Sequence, residues 1–192
     1  MVEGDWNEVE VALGLELPSD FIQLIETYGA WHFAEFLTPL TPFGGLDLLV
    51  GPAKRLADQE RGFRDSHPEK CPYPFYPEPG GLLPWAGTDN GDRVCWLTEG
   101  KPDDWTVVCW NPRGWHYDAH PVGAVEFLVG WLSGRVSTTV FPQPPIDHAG
   151  RGWPLLPQGH PLHVGPLPRR PDQTTRTAED IRRTDPSARV RS

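Results

Sequence analysis

The sequence predicts one α+β domain over residues 1–141 and a basic, disordered tail over 142–192, on three observations. Phe21, Leu24, Ile25 and Tyr28 fall at i, i+3, i+4 and i+7, the apolar stripe of a surface helix. Two strand-like runs, 82–88 and 93–99, meet at Asp89-Asn90-Gly91-Asp92, where Asn-Gly predicts a tight type I′ hairpin turn with both residues at positive φ. Beyond Phe141 the chain holds ten Pro and eight Arg but little periodic apolar content, too little to bury a core.

Asp5 and Glu8 stand at capping-box spacing, Trp6, Val9 and Leu13 follow at helical intervals, and Gly14 supplies a stop, which predicts a short first helix. A second helix starts at Ser19-Asp20 after Leu17-Pro18 and ends at Gly29. Phe33 to Leu40 reads as a short strand bounded by Pro39, Pro42 and Gly44-Gly45. Leu46, Leu49, Val50, Ala53, Leu56 and Ala57 mark a third helix to about Arg64, with Gly51-Pro52 imposing a kink or a late start.

The stretch 68–81 has five Pro and no period, so a loop over the surface is expected. Trp105 to Trp110 adds a third strand and completes an antiparallel meander. A last helix, Val122 to Leu132, is apolar around most of its circumference, should be largely buried, and stops at Gly134. In the tail, only Trp153 to Leu156 offers a contact to the body, and disorder is expected from about Pro168.

Charge is unevenly placed. Residues 1–141 carry 21 Asp and Glu against 9 Lys and Arg, whereas 142–192 carry 5 against 8. The acidic body should repel nucleic acid and anionic membrane, and leaves cationic partners open. A nucleic-acid arm is the alternative for the tail, but its acidic residues dilute the arginines and no aromatic follows Trp153. No apolar run suits a bilayer, and the acidic N-terminus is unlike a signal peptide, so a cytoplasmic location is expected. Cys71, Cys95 and Cys109 are too scattered for a disulfide framework and read as free thiols.

The order of signals matters: an initial helix, then Leu13-Gly14-Leu15-Glu16-Leu17-Pro18-Ser19-Asp20-Phe21, then Tyr28-Gly29-Ala30, then the hairpin from Leu83-Pro84-Trp85 through Gly91-Asp92. Over residues 5–141 this resembles the SUKH superfamily, which includes fungal cell-wall-assembly regulators and many bacterial immunity proteins. The resemblance implies an α+β domain with an antiparallel or mixed sheet flanked by helices, used as a protein-binding platform. In bacteria such domains typically neutralise a toxin, often a nuclease or nucleic-acid deaminase. The shared motif is structural and brings no catalytic residue: Pro18 starts a helix, Gly29 ends it and Asn90-Gly91 turns the hairpin. Ala30 departs from the pattern, standing where members commonly have a second Gly.

Sites of chemistry are sparse. No Gly-x-Ser-x-Gly elbow, phosphate-cradling loop or His-x-Glu with Pro-Cys-x-x-Cys is found, so no catalytic residue and no cofactor is assigned, and an enzyme is not expected. A zinc site from His116, Asp118 and His120, or from the cysteines, lacks close ligand pairs, and both histidines fall in an apparent loop. A small metal-dependent enzyme is therefore the outlying alternative.

Most of the nine tryptophans, Trp96 and Trp110 among them, belong in a core. Trp85, Trp105 and Trp115 flank loops beside Asp89, Asp92, Asp103, Asp104 and Asp118, and an aromatic ringed by carboxylates suits an interface for a basic protein. Partner-binding residues are accordingly expected at Trp85, Asp89, Asp92, Asp103, Asp104, Trp105 and Trp115, facing a basic toxin domain. A solvated acidic loop face is the plain alternative, with Trp31-His32 and the 68–81 loop as further candidate surfaces. A regulatory scaffold without a toxin partner is the second functional reading.

Overall fold

A computed structural model describes residues 4–43 and 47–144. The tail from 145 onward, with Trp153 to Leu156, lies outside the described residues. Element order is α1 (Trp6–Leu13), α2 (Ser19–Tyr28), β1 (Leu37–Pro39), α3 (Val50–Ser66), β2 (Leu82–Thr88), β3 (Arg93–Leu97), β4 (Thr106–Asn111), β5 (His116–His120) and α4 (Ala124–Leu132). The five strands form one antiparallel sheet in the order β1-β2-β3-β4-β5. None of the described helices is long and apolar enough to cross a membrane.

Local chemistry sets the first two helices. Asp5 caps α1 by accepting the Asn7 N–H, and Gly14 ends the helix in the left-handed region at φ 70. The chain leaves α2 through Gly29 at φ 62, while Ala30 keeps a negative φ, so one glycine suffices where the family pattern has two. Gly51-Pro52 brings a late start and not a kink: α3 begins at Val50, which places Pro52 in the first turn, where a missing N–H costs nothing. Asp47 accepts the N–H groups of Leu49, Val50 and Gly51 and caps that start.

Several elements differ from expectation. The run from Phe33 to Leu40 is not one strand, because Ala34 and Glu35 take positive φ and reverse the chain between Phe33 and Leu37, leaving β1 with three residues. The β2–β3 connection is not a two-residue type I′ turn with both Asn90 and Gly91 at positive φ. Only Gly91 is left-handed, at φ 80. Thr88 accepts from the Gly91 N–H and donates its own N–H to Asp92, which makes a type I turn closed by a glycine bulge. The sheet has five strands where four were read, β5 being the addition. His116 and His120 lie in β5 and not in a loop.

Both faces of the sheet are covered. Trp96 and its neighbours on one face meet α2 and α4, with Phe21 edge-on to Trp96 at 4.8 Å and Phe127 at 5.2 Å from His120. Cys95, Val108 and Trp110 lie on the other face, by the alternation of side chains along β3 and β4. That face is covered by the segment before β2: Phe75 lies 5.1 Å from Trp110, and Tyr73 lies 5.6 Å from Tyr117. Cys71, Tyr73, Phe75 and Tyr76 are all buried, so the proline-rich stretch 68–81 is a second packing layer and not a strap over the surface. Its prolines hold the backbone extended while its aromatics turn inward.

Candidate functional site

The strands of the meander set the geometry of the expected site, and they divide it. Asp89 and Asp92 stand in the β2–β3 turn, whereas Asp103, Asp104 and Trp105 belong to the β3–β4 connection at the opposite end of the sheet. Six residue steps along the strand separate Asp92 from Thr98, roughly 20 Å at about 3.3 Å per step.

Several expected anchors prove internal. Trp85 is fully buried and stacks on Trp96 at 5.7 Å, because alternation from Leu83, the partner of Trp96, puts it on the face that packs against Phe21. Asp92 is 1% exposed; its carboxylate takes the Arg113 guanidinium at 2.7 Å and the Thr88 hydroxyl, so it braces the turn and does not face solvent. Trp115 is half-buried and lies flat against Phe63, ring centroids 3.8 Å apart, at the surface end of the α3 layer. Asp89 is exposed and pairs with His32 at 3.3 Å. Beside that pair Trp31 is 61% exposed.

At the other end, the carboxylate of Asp103 accepts the Ser19 N–H at 2.7 Å and so caps α2, which has no side-chain cap of its own. Asp20 in turn accepts the Val125 N–H and holds the start of α4. Burial pushes the Asp20 carboxyl up from its ordinary value against the pull of that N–H. Trp105 is buried, with its indole N–H 3.4 Å from the Gly100 carbonyl. Asp104 is exposed.

Gly100 and Trp105 line a groove of about 330 Å³ that the sequence did not outline. Leu15 and Glu16 from the α1–α2 link form one wall, Tyr76 to Pro79 a second, and Thr98 to Trp105 a third. Each wall is held by a turn or by a hydrogen bond to a distant segment. Leu15 follows the left-handed turn at Gly14; Tyr76 is anchored by its hydroxyl on the Leu13 carbonyl; Thr98 bonds the Gly81 carbonyl through both N–H and hydroxyl. The lining joins proline and aromatic surface to two carboxylates, Glu16 and Glu78. Tyr76 and Glu78 could have been suspected from the density of aromatics among the prolines; Glu16 had no signal beyond its place in a structural motif.

Cys71, Cys95 and Cys109 are buried free thiols whose pKa values burial raises, which disfavours thiolate chemistry. His116, Asp118 and His120 share one face of β5, where His116 and Asp118 engage Thr139. Among the described residues no group of three His, Cys, Asp or Glu is placed to hold a metal ion.

No curated protein and no solved structure matches the chain. A family model described as SUKH_6, SMI1-KNR4 cell-wall, matches residues 3–128, which span every element from α1 to β5. The chain therefore belongs to the SMI1-KNR4 family of the SUKH superfamily.

Proposed function

We propose that this chain is an immunity-type protein that binds a cognate toxin, a basic nuclease or nucleic-acid deaminase, and neutralises it without catalysis of its own. The observation that carries the reading is the concave groove at the β3–β4 end, where proline and aromatic surface is joined to exposed carboxylates on an acidic body. Apolar surface in such a groove gains from desolvation by a partner, and the carboxylates steer a basic one toward it. A regulatory scaffold of cell-wall-regulator type is the second reading, favoured by the description of the matching family.

Affinity capture from the native host, followed by assay of the captured protein, separates the two. A basic nuclease or deaminase that loses activity at one equivalent of this chain supports neutralisation. Capture of a cell-wall or metabolic protein whose activity is unchanged overturns it in favour of the scaffold. With the captured toxin, association should slow as salt rises, because the Debye length is already only about 10 Å at 0.1 M. Asp89→Asn and Asp104→Asn, made separately, report which end is used, since both side chains are exposed.

A further inference from the structure

We infer that the groove between Leu15-Glu16, Tyr76 to Pro79 and Thr98 to Trp105 receives an arginine side chain presented by the protein partner; this rests on the protein-binding reading. Three features select that occupant. The walls at Leu15, Tyr76, Pro102 and Trp105 are apolar and ring-rich, which suits the aliphatic stem and the flat face of a guanidinium. Glu16 is exposed and engages no donor among the described residues, and it lines the same groove as Glu78. The Glu78 wall already takes a guanidinium from outside: Arg64 Nη1 lies 2.7 Å from Glu78 Oε1, which leaves acceptor sites of that carboxylate open.

Charge agrees with this choice. Two carboxylates, Glu16 and Glu78, line the groove, and no Lys or Arg is among the described residues that line it. A lysine would satisfy the charge but offers no plane to lie against the rings and no paired donors to span two carboxylates. The volume of about 330 Å³ is at the low end for a ligand pocket and suits one long side chain with its flanking backbone.

The test uses the full chain and an acetylated, amidated Gly-Pro-Arg-Gly peptide, with lysine and citrulline versions beside it, followed by amide and indole N–H chemical shifts. The arginine peptide should move the Trp105 indole, Thr98 and Gly100 signals saturably, with an affinity on the order of millimolar for so small a ligand. The citrulline version should not saturate, the lysine version should bind several-fold more weakly, and Glu16→Gln should weaken the arginine peptide by up to about fivefold. Equal binding of all three peptides, shifts confined to another surface, or no effect of Glu16→Gln would each overturn the inference. If the chain captures a host protein but the groove ignores the arginine peptide, the inference fails and the protein-binding reading stands. If no host protein is captured, that reading fails on its own terms.

Discussion

Two residues show how far identity alone specifies a role. Gly91 was legible as a turn glycine from Asn90-Gly91, and its φ of 80 confirms the need, although Asn90 keeps a negative φ and the turn carries a bulge. Gly91→Val forces a β-branched side chain into the left-handed region and should destabilise the fold by about 1–3 kcal/mol in urea denaturation. An unchanged midpoint would mean that the turn relaxes at no cost. His120 carried no such signal. Burial lowers its pKa below 6.5, the Asp118 carboxylate 3.5 Å away opposes the shift, and burial prevails. At that separation the contact is electrostatic, too long for a strong hydrogen bond. The folded state keeps the ring neutral while the unfolded chain takes a proton near 6.5, so stability present above that pH is lost as pH falls through it toward the folded value. His120→Gln should flatten the decline in unfolding free energy between about pH 7.5 and 5.5; a variant with an unaltered slope would show that another group governs it.

Elements whose signals are local were readable nearly to the residue. α1 and α2 are written in caps and a 3.6-residue stripe, and their ends are where Asp5, Gly14 and Gly29 put them. α3 was readable in extent but not in start, since the choice between kink and late start turns on Asp47, whose carboxylate meets three N–H groups at 2.6 to 3.0 Å. Asp47→Ala should therefore cost about 0.5–2 kcal/mol, measured by thermal or chemical denaturation. No loss would mean that water serves those donors equally well. β5 escaped the sequence because His-Tyr-Asp-Ala-His carries few strand formers; its partners across β4, Val107 to Asn111, supply the pairing. The stretch 68–81 escaped for the opposite reason. Proline density signals a loop, and nothing local says that Tyr73 and Phe75 will find Tyr117 and Trp110 some forty residues away.

At the scale of the whole molecule the C-terminal boundary of the domain becomes a testable quantity. Residues beyond 141 still engage α4: the Trp131 indole donates to the Pro142 carbonyl at 3.2 Å, and Gln143 donates to the carbonyls of Trp131 and Val136. Truncation after Phe141 removes these bonds at about 1 kcal/mol each and should lower the melting temperature by several degrees. Truncation after Pro144 keeps them and should leave it within about 5 °C of the full chain. A large drop on truncation after Pro144 would show that residues from 145 onward contribute to the folded body.

The sequence by itself determined the class of fold, the helices with their caps, the central hairpin and the acidic character of the body, because each is set by neighbours a few residues apart. It also carried the family, through short motifs in a characteristic order. The tertiary structure decided which of the expected site residues meet solvent. Trp85 went inward because Phe21 and Trp96 pack on it, and Asp92 because the Thr88 hydroxyl and the Arg113 guanidinium meet its carboxylate. Asp103 was drawn off to cap α2 across 84 residues of sequence. The groove exists only where three distant segments converge, each anchored on the next by a long-range hydrogen bond or packed ring, and pairings of that range leave no periodic mark along the chain.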